Sequence, residues 1–243
     1  MKALLEQSEQ VIFRPTPHVT AKRLPGVGAF LTAQISDLCH RLERLRRTRE
    51  IRSILITSAT PREGKTLVAV EVAVALAKQW PRVLLVDADL RKAGVAATLG
   101  LSPLMPGFAE GLEHDRDLSG AVRFVDPLNM NWLPAGCPSN GEPEKVLHNY
   151  CLRNRLTELN HEFDWVIVDS PSIQSPETRL LSYATDVLVM VAKTGSTPRD
   201  QVRNSIGSLE GAFLAGVVFP EADKLTPDSR CSWSFRSLAF GTN

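Results

Sequence analysis

Residues 53–77, SILITSATPREGKTLVAVEVAVALA, carry the pattern that decides the fold. The run SILIT at 53–57 is apolar on the consecutive positions 54–56, as expected of a strand covered on both faces. Residues 65–78 have the composition of a buried helix. Between them lies a short loop containing Pro61 and Gly64. Strand, tight loop and helix in that order form the context in which a loop cradles phosphate. Gly64 lets the backbone approach phosphate oxygens without a Cβ in the way. Lys65 brings a point charge to the β and γ phosphates, and the Thr66 hydroxyl can ligate Mg²⁺. The N–H groups that open the helix complete the anion site. The general pattern G-x-x-x-x-G-K-[ST] would place a glycine at position 59, where this chain has Ala59, and Pro61 stiffens the loop. The loop is therefore a variant. Ala59, Thr60, Pro61, Arg62, Glu63, Gly64, Lys65, Thr66 and Leu67 form the candidate nucleotide-binding segment, with ATP and Mg²⁺ as the implied ligands.

Outward from this loop, short apolar runs alternate with helical segments. The runs are VLLVD (83–87), NWLP (131–134), WVIVD (165–169), DVLVMVA (186–192) and LAGVVF (214–219), with helices expected at 143–160, 176–183 and 198–210. Such alternation predicts an α/β fold, a doubly wound and mostly parallel sheet flanked by helices. Two of the strands end in acids. LLVDADLRK places Asp87 and Asp89 on alternate residues, which point the same way on an extended chain. Two close carboxylates repel unless a cation lies between them, and Mg²⁺ suits oxygen ligands that share a site with phosphates. FDWVIVDSPS ends in Asp169, at the carboxyl end of a buried strand, where α/β sheets bind ligands. Lys65, Asp87, Asp89 and Asp169 are the candidate catalytic residues, and Thr66, Asp87 and Asp169 the candidate metal ligands.

Composition excludes other classes. The chain has 243 residues, 43% hydrophobic and 23% charged, which permits a sizeable core and excludes a disordered, collagenous or disulfide-scaffold chain. A net charge of +1 does not suit a nucleic-acid partner. The longest apolar stretch is interrupted by Glu71 and is too short to cross a bilayer, and the acidic start lacks the apolar core of a secretory signal. Four cysteines without C-x-x-C spacing fit reduced thiols and a cytoplasmic location. Three segments are expected: an N-terminal arm and helix over 1–50, a nucleotide-binding domain over 51–220, and a flexible surface tail over 221–243. In the first segment Leu31, Ile35, Leu38, Leu42 and Leu45 form one helical stripe, expected to dock on its own domain.

Taken together, A-x-x-x-x-G-K-T at 59–66, VLLVDADLRK at 83–92 and FDWVIVDSP at 163–171 resemble the motifs of bacterial tyrosine kinases, a branch of the P-loop NTPases. The resemblance covers about residues 50–220. It implies γ-phosphoryl transfer from ATP with Mg²⁺ to tyrosine hydroxyls, in the regulation of capsule or exopolysaccharide biosynthesis. It also implies a membrane-embedded polysaccharide co-polymerase as partner, protein substrates bearing tyrosine, recruitment to the inner face of the membrane, and homo-oligomeric rings. By the same resemblance Arg91 supports the phosphate loop.

The chain departs from that family at several positions. Its tyrosines are Tyr150 and Tyr183, so the tail RCSWSFRSLAFGTN lacks the cluster that such kinases phosphorylate. Arg62 stands where the family usually has glycine, and Phe219-Pro220 where an asparagine often follows the last strand. Glu43, Arg46 and Arg49 fit the spacing of the family's oligomerisation helix but sit close to the first strand. These departures motivate an alternative, a non-kinase ATP-binding switch, scaffold or ATPase of the polysaccharide export machinery.

Overall fold

The computed structural model describes residues 16–22, 29–139, 141–148, 150–193, 197–209 and 212–218. Eight strands form one sheet: β1 (His18–Thr20), β2 (Ser53–Ser58), β3 (Val83–Asp87), β4 (Arg123–Asp126), β5 (Met130–Leu133), β6 (Trp165–Asp169), β7 (Val187–Val191) and β8 (Leu214–Val218). Their spatial order is β1-β4-β5-β3-β6-β2-β7-β8, and every pair is parallel except β4 with β5. The helices are α1 (Ala29–Thr48), α2 (Lys65–Ala77), α3 (Gly94–Leu99), α4 (Phe108–Glu113), α5 (Pro143–Leu147), α6 (Leu152–Glu162), α7 (Pro176–Ala184) and α8 (Arg199–Gly207).

The strand runs are apolar on consecutive positions because both faces are covered. Ile54, Ile56, Leu85, Ile167 and Val189 join α1, α2 and α3 in one apolar layer. Leu55, Leu84, Val86, Val166, Val168 and Leu188 join α4 to α8 in the other. Neighbouring residues of one strand thus feed opposite layers, as the two-residue period of a strand requires. This is the expected doubly wound sheet. From β2 the chain skips past β6's place to β3, later returns to β6, and then crosses β2 to β7. The phosphate loop follows β2 at that switch, where the carboxyl ends of strands open a crevice for ligands.

Several boundaries differ from expectation. The N-terminal segment is no separate arm where it is described, since β1 pairs in parallel with β4 and Ile35, Leu38 and Leu42 of α1 are buried in the core. The helix expected over 143–160 is two helices, α5 and α6, with a turn between them. Strands β1 and β4 and helices α3 and α4 add to the expected elements. The Phe219-Pro220 step and the tail over 221–243 lie outside the described residues, as do residues 1–15 and 23–28.

Candidate nucleotide site

The loop between β2 and α2 is fixed by backbone geometry before any ligand is considered. Gly64 caps α2 with φ of 86°, a left-handed conformation that glycine adopts without steric cost. Arg62 also has a left-handed φ, 68°. Glycine at that position carries no Cβ penalty, whereas an L-residue there costs about 1–2 kcal/mol. The Ser58 hydroxyl donates to the Thr60 carbonyl at 2.6 Å, and the Ala59 N–H donates to Val191 O of β7 at 3.2 Å.

From this loop α2 carries Lys65 and Thr66 into the crevice. Lys65 is buried, and its Nζ lies 3.4 Å from Asp89 Oδ2. Strand β3 ends at Asp87, so Asp89 belongs to the turn that follows, where Lys92 N–H and Ala93 N–H donate to the Asp89 carbonyl at 3.0 and 2.9 Å. Asp87 is buried, and its Oδ2 accepts the Val95 N–H at 3.1 Å, while its Oδ1 has no hydrogen-bond partner among the described residues. On the adjacent strand, Asp169 is also fully buried, and among the described residues neither of its oxygens has a partner of full hydrogen-bond geometry, although the Thr66 hydroxyl lies close enough to favour its charge. Gly94, the first residue of α3, passes so close to Thr66 that a Cβ there would lie 3.2 Å from its hydroxyl.

These acids are strained electrostatically. Burial pushes Asp169 up to about 7, against the opposing pull of the Lys65 ammonium and the Thr66 hydroxyl. Burial, then the charge of Asp169, hold Asp87 well above the usual carboxylate range, although the Val95 N–H pulls it back. Buried oxygens without partners, beside a hydroxyl and a lysine at a helix start, fit a divalent cation with phosphate. Among the described residues no group of three or more His, Cys, Asp or Glu is arranged to hold a metal by itself. Mg²⁺ takes one or two carboxylates and completes its shell with phosphate oxygens and water.

The geometry thus brings together Lys65, Thr66, Asp87, Asp89 and Asp169. Two expected members are turned elsewhere. The Arg91 guanidinium donates to Glu177 Oε1 of α7, from Nε at 3.0 Å and Nη2 at 2.7 Å, so its charge is engaged away from the loop. Although burial raises it, hydrogen bonds from Ser175, its own backbone and Arg91 hold Glu177 below the usual carboxylate value. The Glu63 carboxylate is buried and accepts the Thr60 N–H at 2.7 Å and the Lys193 N–H at 3.1 Å. Pro61 and Arg62 are exposed, and Leu67 is partly so. Glu177 and Gly94 escape sequence reasoning; Pro176-Glu177 at a helix start is the only local signal for the first.

Sheet order, loop and acids define a P-loop nucleotide-binding domain. A family model described as cellulose biosynthesis protein BcsQ matches residues 53–203. The tyrosine-protein kinase YwqD of Bacillus subtilis is 32% identical over 174 residues, covering 70% of this chain and 73% of that protein. The succinoglycan biosynthesis transport protein ExoP of Rhizobium meliloti is 29% identical over 180 residues, 72% of this chain but only 23% of ExoP. Among solved structures, the VpsO kinase domain matches with a TM-score of 0.70 at 23% identity, covering 79% of this chain and 97% of that one. Cobyrinic acid a,c-diamide synthase from Mycobacterium smegmatis, with bound ATP analog and magnesium, matches at 0.61 and 25% identity, over 72% and 75%. The chain belongs to the bacterial tyrosine-kinase family of P-loop proteins, and the BcsQ model covers its nucleotide-binding core.

Proposed function

We propose that this chain is an ATP- and Mg²⁺-dependent protein tyrosine kinase that regulates capsule or exopolysaccharide biosynthesis. The observation that carries the reading is the Lys65–Asp89 pair beside the unpartnered oxygens of Asp87 and Asp169. Thr66, Asp87 and Asp169 would hold the cation, and Lys65 and the N–H groups opening α2 would hold the phosphates. Bound Mg²⁺–ATP supplies a γ-phosphoryl group whose charge is partly neutralised for in-line displacement. Lys65 then exchanges Asp89 for phosphate oxygens. The exchange frees an Asp89 carboxylate that can take the proton of an incoming tyrosine hydroxyl, so positioning and charge neutralisation do most of the work.

The partner in this reading is a membrane-embedded polysaccharide co-polymerase, whose cytoplasmic tail recruits the chain to the inner face of the membrane. Relatives that carry polysaccharide-biosynthesis names support it. None of the described helices is long and apolar enough to cross a membrane. Assembly into homo-oligomers belongs to the same proposal. Purified chain, ATP, Mg²⁺ and the partner's tail are expected to yield phosphotyrosine. If no phosphate reaches any tyrosine and Lys65→Met behaves like the parent, the kinase reading is wrong.

A second reading is favoured by the tyrosine count of two and by Arg62 in a glycine's place. In it the domain binds ATP as a switch or scaffold and transfers nothing. Partner binding that depends on nucleotide, without phosphotyrosine, distinguishes it.

A further inference from the structure

We infer that Glu63 is a positioning residue whose buried carboxylate sets the shape of the phosphate loop and locks it to the segment following β7. The inference rests on the nucleotide-site reading, but it assigns Glu63 a task other than touching nucleotide.

Glu63 stands between the two left-handed residues of the loop, Arg62 and Gly64. An arginine in that conformation persists only where its surroundings over-determine it. The Glu63 side chain supplies that constraint. Its Oε2 accepts the Thr60 N–H at 2.7 Å, closing the loop on itself across three residues. Its Oε1 accepts the Lys193 N–H at 3.1 Å and the Thr197 hydroxyl. Three donors from two separate segments therefore converge on one buried carboxylate, and two of them lie about 130 residues away in sequence.

Two consequences follow for the chemistry. The Thr60 N–H is spent inside the loop, so the phosphates are left to the N–H groups nearer α2 and to Lys65. Lys193 and Thr197 also follow β7 at the carboxyl edge of the sheet, the edge that carries the ligand crevice. Any displacement of that segment reaches Lys65 and Thr66 through Glu63. In a loop with Ala59 in place of its first glycine, this brace fixes the geometry that local sequence does not.

The test uses the whole chain, calorimetric titration with Mg²⁺–ATP, steady-state kinetics and thermal unfolding. Glu63→Ala is expected to weaken ATP binding about 10-fold or more, and Glu63→Gln, which keeps one acceptor, to fall between it and the parent. Thr197→Val is expected to raise KM for ATP several-fold with little change in Tm, and to add nothing in the Glu63→Ala background. Lys65→Met serves as the control for the nucleotide site itself. If Lys65→Met loses ATP while Glu63→Ala and Thr197→Val bind like the parent, the inference is overturned and the nucleotide reading stands. If the parent itself takes up no ATP, both fall. Should Glu63→Ala not fold, Thr197→Val combined with Glu63→Gln decides: additive losses overturn the brace, and a shared loss supports it.

Discussion

Asp87 and Asp169 are cross-strand partners, the last residues of adjacent parallel strands, paired in register where β3 meets β6. Both are buried at the ends of strands whose other residues, VLLV and WVIV, are all apolar, and among the described residues three of their four carboxylate oxygens lack a partner of hydrogen-bond geometry. Two acids facing each other in low dielectric raise each other's proton affinity. A fold selected only for stability would put apolar residues there, and the pair fits the cation-binding role proposed for it.

Replacing Asp169 by Asn removes one anionic ligand and one source of repulsion. Mg²⁺-dependent ATP turnover or transfer is expected to fall by at least about 100-fold, and the Mg²⁺ concentration needed for half-maximal ATP binding to rise. Binding titrations at stepped Mg²⁺ measure the latter. An Asn variant with the parent's Mg²⁺ dependence would remove Asp169 from the metal site.

Lys65 and Asp89 form a buried pair, and breaking such a pair from one side strands the other charge. Lys65→Met is therefore expected to lose ATP binding and also to lower the stability of the nucleotide-free protein, by about 1–3 kcal/mol. Adding Asp89→Asn to Lys65→Met should recover part of that stability without recovering binding. Urea unfolding of the four proteins closes the cycle. If the two changes simply add, the pair does not interact in the folded state.

Glu71 sits in the middle of the apolar helix α2, buried, with Oε1 unpartnered among the described residues. Burial pushes it up to about 7 from an ordinary value of 4.5, with Lys78 opposing. The folded protein therefore holds this proton more tightly than the unfolded chain does. The stability it contributes is fully present below pH 4.5 and is lost as the pH rises through 7. Glu71→Gln escapes that loss, so its stability relative to the parent should improve by about 1–3 kcal/mol between about pH 5 and pH 8. Thermal unfolding at the two pH values measures it, and a constant difference would show that Glu71 does not titrate in this range.

How much of this is legible in sequence depends on how local each cause is. VLLVD and WVIVD match their strands to the residue, because a continuous apolar run closed by an acid fits little besides a buried strand in an α/β chain. HVT of β1 and RFVD of β4 are short and partly polar, and only their pairing with each other and with β5 makes them strands. The break between α5 and α6 carries no proline, so the sequence reads there as one long helix. Within the site, Lys65, Thr66 and the three aspartates are readable because motif spacing binds each to a strand end. Arg91 stands out beside the first acidic motif, but its partner Glu177 lies 86 residues away on another helix. The inward turn of Glu63 likewise depends on a neighbour that only the sheet order supplies.

Gly94 shows the same dependence at atomic scale. Nothing in RKAGVAATL marks this glycine, and no left-handed φ requires it. Its need is spatial, because the first turn of α3 lies against the Thr66 side chain, while the next residue, Val95, donates its N–H to Asp87. A Cβ at position 94 would meet Thr66 Oγ1 at 3.2 Å and Cγ2 at 3.3 Å, so the hydroxyl must give way by a few tenths of an ångström. Gly94→Ala is therefore expected to fold, since alanine is the better helix former, and to lose about 10-fold in kcat/KM through a misplaced metal ligand. Thr66→Ser removes the crowded methyl and keeps the hydroxyl, so in the Gly94→Ala background it should restore much of that loss. If Gly94→Ala is as active as the parent, the contact has no bearing on the metal ligand. A loss that Thr66→Ser leaves unchanged would instead trace the effect to the Val95 N–H and Asp87.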